Sequence, residues 1–374
     1  MGQNPTSGVL SLQRRREIYA VCCKHDVIIV EDDPYWYLQF PSSTASNTTT
    51  TSHPGNTSFN PNVAMFANGE PHPDGWKSSG FPFLDSLVPS FISIDTEGRV
   101  IRLDTFSKTV APGCRLGWLS AQPALVERIL RVTETSTQQP SGFVQSMIAE
   151  LILGPDHKGL DNASKGGKGG LPAGTGWKAA GWIRWLEGLR GNYERRKNKM
   201  CDILSANDTL VKSGRRGSLA AAVDDDEEEW SVIEKTRILS FTNPVGGMFL
   251  WLHINFAAHP LYNTYAKTDS LPRLSHALWI FWTTKPYLAL VAPGTMFSPT
   301  PEISAAEGWQ FFRLCFAAIN EEDLGPVSKR VAEGVNAFFR IKEKRVVEEL
   351  LEEDEKVLEE RLAASEVCRL GGIC

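Results

Sequence analysis

The sequence predicts an α/β protein with a smaller α+β region after it, and three observations carry that expectation. A β-branched run, Val27–Val30, follows a helix-like stretch and stops at Glu31-Asp32-Asp33-Pro34. A near alternation of charged and apolar residues, Arg99–Asp104, runs into Thr105-Phe106-Ser107-Lys108. Strand-like segments near 247–254, 289–292 and 311–317 are interleaved with helical ones. Helix and strand in repeated succession is the pattern of layered α/β folds.

Taken in order, Ser11 is placed to cap a helix through about Lys24, with Leu12, Tyr19 and Cys22 recurring on one face. Val27–Val30 reads as a central strand buried on both faces, and Pro34 prevents its continuation. Residues 41–80, rich in Ser, Thr, Asn, Pro and Gly, predict a flexible surface loop, because they hold too little apolar surface to offset the entropy of ordering. Order is expected again from Phe81 to Ile94, then a strand to Asp104, a lysine-bearing loop and a strand from Leu116 to Ala121. Pro123 opens a helix carrying Val126, Ile129 and Leu130. Two insertions are expected at 158–176, with KGGKGG, and at 205–229, with DDDEEE; neither glycine run fits a nucleotide-phosphate loop. Trp177–Lys199 reads as a long linking helix, and further helices follow Leu271 and Glu321. PGTMF at 293–297 should turn near the substrate entrance. The domains expected are 1–176, 177–340 and a charged tail, 341–374, read as an exposed helix.

The chemistry concentrates at two strand ends. Lys108 stands just beyond a strand, with hydroxyls at Thr105 and Ser107 before it and Arg115 seven residues after. A neutral lysine amine can form a Schiff base with an aldehyde, and hydroxyls with a guanidinium can grip a phosphate, so the set suits pyridoxal 5'-phosphate. Open α/β sheets place ligands at the carboxyl ends of their strands. Any one Ser-Lys pair, taken alone, reads as a solvated loop; the combination points to the cofactor. Asp32, at the other strand end, can pair with a protonated ring nitrogen and keep a pyridine electron-withdrawing, the alternative being a helix cap or solvated turn. Arg313 lies within an otherwise apolar strand, where a carboxylate clamp or a structural ion pair would justify it.

Composition sets bounds on the rest. The 374 residues are 42% hydrophobic and carry a net charge of -5, with no clustered basic stripe, which argues against a nucleic-acid partner. Seven cysteines without paired spacing suggest reduced thiols in the cytoplasm and no metal site. The sequence holds no apolar run long enough to suggest a membrane span.

Five collinear segments resemble those of the fold-type-I pyridoxal-phosphate aminotransferases, specifically the fungal aromatic, kynurenine and 2-aminoadipate branch. They are GQNPTSG at 2–8, EDDPYWYLQF at 31–40, DTFSKTVAPGCRLGW at 104–118, NPVGGMFLWL at 243–252 and FFRLCFA at 311–317. The resemblance implies a partial large domain with a mixed, mainly parallel sheet, followed by a small α+β domain. It implies that Asn4 and Tyr35 bond the cofactor's phenolic oxygen, Asp32 its ring nitrogen, and Thr105, Ser107 and Arg115 its phosphate. Lys108 would be both covalent anchor and proton-transferring base, and Arg313 would hold the substrate carboxylate. Gly8 is expected to serve where the family has glycine directly after threonine, a position held here by Ser7. The implied activity is transfer of an amino group from an aromatic or similarly bulky amino acid to a 2-oxo acid, by a homodimer. Against the family, the chain is expected to lack the amino-terminal part, so that a catalytically inactive fragment acting by binding alone is the alternative. MGQNPT also fits the N-myristoylation pattern, although the turn accounts for the same letters.

Overall fold

The structure is a computed structural model that describes residues 2–40, 78–153, 178–214 and 232–356. Nearly all of the loop expected at 41–80, the KGGKGG segment, the DDDEEE run and the tail beyond 356 lie outside the described residues. The chain forms two compact units, one comprising residues up to Arg195 with Pro244–Met248, the other Arg196–Asn243 with everything from Phe249 onward.

In the first unit, α1 (Leu12–Lys24) starts as its sequence suggests, with Ser11 Oγ accepting from the Arg14 N–H at 3.2 Å. Strand β1 (Ile29–Asp32) runs parallel to β2 (Val100–Thr105), and β3 (Gly117–Ser120) pairs antiparallel with β2, in the order β1-β2-β3. The expectation of a central β1 buried on both faces is overturned. Among the described residues β1 is an edge strand, and Val27, Ile28 and Val30 are exposed, Val30 at 60%. A β-branched run encodes extended backbone but says nothing about how many neighbours pair with it. Helix α2 (Pro123–Thr135) likewise opens on its proline yet buries none of its residues, leaving Val126 and Leu130 exposed. After α3 (Gly142–Leu153), the long α4 (Lys178–Ala206) carries the chain across the boundary between the units.

The core of this unit gathers Phe83, Leu87, Ile183 and Leu186, with Trp36, Tyr37 and Trp182 packed against it. The Pro244–Met248 segment joins it through backbone bonds: Phe40 N–H to Val245 O at 2.9 Å and Gly247 N–H to Leu38 O at 2.8 Å. Glycine is required where this segment meets the amino-terminal turn. Gly2 and Gly247 both have positive φ, and a Cβ on either would come within 2.5 Å of the other's backbone.

The second unit holds a hairpin of β4 (Thr209–Gly214) and β5 (Val232–Arg237), followed by a four-stranded antiparallel sheet. Strands β6 (Leu239–Phe241), β7 (Phe249–Ile254), β8 (Ala292–Pro293) and β9 (Phe311–Cys315) lie in the order β6-β7-β9-β8. The stretch expected as an insertion from 205 thus begins with the end of α4 and continues into the paired strand β4. One sheet face, with Leu250, Leu252, Phe312 and Leu314, is buried, and α5 (Leu271–Thr283) and α6 (Glu321–Phe338) contribute Leu278, Trp282, Val331 and Val335 to the same core. Trp282 joins three elements: its indole N–H donates to Val331 O at 2.9 Å and its ring meets Phe312 edge-on at 4.9 Å.

The charged tail is not the exposed helix expected. In α7 (residues 344–356) Val347 and Leu351 are buried, and Glu348 accepts from Tyr265 at 2.8 Å and pairs with Arg273 at 2.9 Å. Two apolar residues four apart make one narrow stripe, enough to seat a helix whose other faces are charged.

Buried His259 is held neutral in one orientation, its Nδ1 accepting from the Leu261 N–H at 3.1 Å and its Nε2 set to donate to Phe338 O at 3.1 Å. Burial lowers its pKa to about 4, from a reference of 6.5. Between these values the unfolded chain binds the proton and the folded one does not. Stability from His259 is therefore complete above pH 6.5 and lost as the pH falls towards 4. Melting temperatures of the wild type and His259→Gln, compared at pH 7 and pH 5, should converge at the lower value.

Candidate active site

Parallel pairing of β1 with β2 brings their carboxyl ends together: Asp32 lies opposite Leu103, and the Asp33 N–H donates to Leu103 O at 3.3 Å. Beyond β1 the chain turns through Tyr35 into a short helical turn, Trp36–Leu38. Beyond β2 it turns through Phe106, whose carbonyl accepts from Thr109 and Val110 at 3.2 and 2.8 Å. These two turns place the Lys108 amine 5.8 Å from the centroid of the Tyr35 ring.

The lysine loop is fixed from several sides. Thr105 Oγ1 donates to Leu116 O at 3.2 Å and accepts from the Ser107 N–H at 3.0 Å. The Trp185 indole donates to Thr109 O at 2.6 Å, and Phe106 packs on Trp118 at 4.8 Å. Gly117 lets β3 approach, since a Cβ there would lie 2.5 Å from Asp104 O. After the turn Pro112–Cys114, Arg115 adopts φ 44° and swings its guanidinium back to Ser107 Oγ at 3.4 Å. Ser107 and Arg115 thereby bring a hydroxyl and a guanidinium together next to Lys108 in the sequence, with Arg115 exposed, while the Thr105 hydroxyl is engaged by Leu116 O. That donor set fits a phosphate.

Of the adjacent acids, Asp32 is exposed, whereas Asp33 is buried and burial raises its carboxyl pKa. The difference follows from strand alternation, which turns neighbouring side chains to opposite faces. Asn4 occupies an exposed turn closed by the Gln3 N–H to Gly8 O at 3.1 Å and the Ser7 N–H to Gln3 O at 2.6 Å. The left-handed position in this turn belongs to Ser7, at φ 60°, and not to Gly8 as the sequence suggested. The backbone bond from Ser7 to Gln3 fixes the turn at that residue.

Arg313, in the second unit, lies opposite Trp251 on β7 and Ala292 on β8. Its guanidinium is sandwiched between the rings of Phe249 and Phe297, at 4.2 and 4.5 Å. Sequence reasoning singled out neither phenylalanine. Phe249 is two strand positions from Trp251 and so shares a face with it, a relation legible once the register of β7 and β9 is known.

No family model matches the chain. An aromatic amino acid aminotransferase of Schizosaccharomyces pombe is 30% identical over 346 residues, covering 91% of this chain and 54% of that protein. An L-tyrosine:2-oxoglutarate aminotransferase of Tapinella panuoides is 32% identical over 262 residues, 70% of this chain and 36% of that one. Both of these homologues are fungal aminotransferases named for aromatic amino acids or tyrosine. The crystal structure of aminotransferase Aro8 from Candida albicans superposes with a TM-score of 0.60 at 29% identity, covering 91% of this chain and 56% of that one. The architecture is that of the fold-type-I aminotransferases. The chain spans about half the length of the Schizosaccharomyces and Candida proteins and 36% of the Tapinella one. Among the described residues no cluster of His, Cys, Asp and Glu could hold a metal ion, and no helix is long and apolar enough to cross a membrane.

Proposed function

We propose that the protein is a pyridoxal-phosphate-dependent aminotransferase that moves the amino group of an aromatic or similarly bulky L-amino acid to a 2-oxo acid. The observation that carries this reading is the convergence at the β1 and β2 ends, with Lys108 5.8 Å from the Tyr35 ring and Arg115 on Ser107 at 3.4 Å. Homology to fungal aromatic aminotransferases supports the substrate class.

Pyridoxal phosphate, when bound, supplies an electrophilic aldehyde and an electron-withdrawing ring that stabilises negative charge at the substrate α-carbon. Thr105, Ser107 and Arg115 would hold the phosphate, Asp32 would keep a proton on the ring nitrogen, and Asn4 and Tyr35 would bond the phenolic oxygen. Lys108 would be the covalent anchor, and its amine would also be the base that takes the proton from the substrate α-carbon. Arg313, its guanidinium set against two phenylalanine rings, would hold the substrate carboxylate. Free thiols at Cys22, Cys23, Cys114, Cys201 and Cys315 support a cytoplasmic setting, and the family's homodimer belongs to the same proposal.

Addition of pyridoxal phosphate to the purified full chain should produce a visible absorbance band that phenylalanine discharges, with phenylpyruvate formed in proportion to added 2-oxoglutarate. No band at saturating cofactor would leave the reading without support; a band with no keto acid would restrict it to cofactor binding.

A further inference from the structure

Strand β2 carries a buried ion pair that the roles above do not use. Arg102 and Asp104, two residues apart and on one face, are joined by two bonds, Nε to Oδ2 at 2.8 Å and Nη2 to Oδ1 at 2.9 Å. Their side chains are 9% and 7% exposed. A pair buried this far gains little net stability, because desolvating both charges costs about as much as their attraction returns. Two residues on one strand also link no elements by themselves. The link is Trp36, whose ring lies 4.6 Å from the Arg102 guanidinium.

Trp36 is itself fixed at two further points. Its indole N–H donates to Val88 O at 2.8 Å, and its carbonyl accepts from Gln39 Nε2 at 2.9 Å. Gln39 Oε1 in turn accepts from the Val88 N–H at 3.0 Å. Trp36 directly follows Tyr35, and Asp104 directly precedes Thr105, whose hydroxyl orders the turn bearing Lys108. The pair and the ring thus join the end of β2 to the turn that follows β1, with Asp104 and Trp36 each one step from a group assigned to the site.

We propose that Arg102, Asp104 and Trp36 act as positioning residues, a brace that holds the Tyr35 ring against the Lys108 amine. The bidentate fork orients the guanidinium plane, the plane seats the indole, and the indole fixes the turn on which Tyr35 stands. This assignment rests on reading Lys108 as the reactive amine, and it predicts a property of the chain with no cofactor present.

The test is competitive labelling of the full chain by trinitrobenzenesulfonate without added cofactor, with peptide mass mapping to compare Lys108 against exposed Lys342 in the same sample. In Trp36→Leu and Arg102→Met, Lys108 should label about threefold faster relative to Lys342, the scale of one exposed cation–π contact. Arg102→Lys, which keeps charge but not the planar fork, should fall between these and the wild type. Tyr35→Leu should match Trp36→Leu, and the double variant should show no further rise, because both changes remove the same contact. An unchanged Lys108 ratio in Trp36→Leu with native near-ultraviolet dichroism overturns the proposal. So does a rise shared by all lysines, which would mark a merely structural role. Pyridoxal-phosphate absorbance on the same wild-type sample separates the two readings: its absence counts against the aminotransferase assignment and leaves the labelling result standing.

Discussion

Replacing Lys108 by alanine is expected to abolish the visible band formed with pyridoxal phosphate and all borohydride-trapped cofactor on the tryptic peptide that contains it. The effect should be complete and not partial, since the covalent bond needs a primary amine at this one position and the neighbouring donors, Thr105, Ser107 and Arg115, have no nucleophilic nitrogen. Lys108→Arg is the sharper control, because it keeps the positive charge and the side-chain length while losing the chemistry. Non-covalent retention should persist in both variants, held by the phosphate donors. Arg115→Ala alone should weaken it by roughly 1.5–3 kcal/mol, the size of a hydrogen bond to a charged group, or about tenfold to a hundredfold in affinity. A band that survives in Lys108→Ala would move the anchor to another lysine and remove the foundation of the assigned site.

What is legible in the sequence is local. The Ser11 cap, the halt of β1 before Pro34 and the return of Arg115 to Ser107 each depend on residues close together in sequence. The failures share a different cause. Whether Val27–Val30 forms a central or an edge strand depends on partners outside the run, which β-propensity cannot report. Thr209–Gly214 reads as part of an acidic insertion because its partner, Val232–Arg237, lies beyond that run. In α7, dense charge masked the Val347 and Leu351 stripe that seats the helix. At Ser7 the geometry defied the usual preference, since a serine took the left-handed position although a glycine stood next to it. The Phe249 and Phe297 rings on Arg313 emerged only from sheet register and the turn at 294–297, both products of tertiary folding.

The largest stability effect is expected at Glu31, one residue before the aspartate assigned to the cofactor ring. Its carboxylate is bound by the Arg15 guanidinium and accepts the Phe91 N–H at 3.0 Å on each oxygen, while the Arg15 guanidinium lies 4.8 Å from the Phe91 ring. The side chains are 3% and 6% exposed, and Arg15 Nε has no hydrogen-bond partner among the described residues. Glu31→Ala therefore leaves a buried guanidinium uncompensated and a backbone N–H unpaired, at a cost of about 3–5 kcal/mol. The nearby Arg14–Glu17 pair, at 3.0 Å but 65% and 47% exposed, is a built-in comparison: Glu17→Ala should leave stability almost unchanged. Against a typical total of about 5–15 kcal/mol, the first change threatens the folded state of the unit and the second does not. Because the chain has two units, urea unfolding should be followed by the environment of Trp36 and Trp118 in the first unit and by Trp282 in the second. A drop confined to the first-unit probes, largely restored by the apolar pair Arg15→Met with Glu31→Leu, would show that the cost of Glu31→Ala is the uncompensated Arg15 charge left between α1 and β1. Equal small losses from Glu31→Ala and Glu17→Ala would mean that water reaches the Arg15 guanidinium and that the buried pair is not what fixes the strand carrying Asp32.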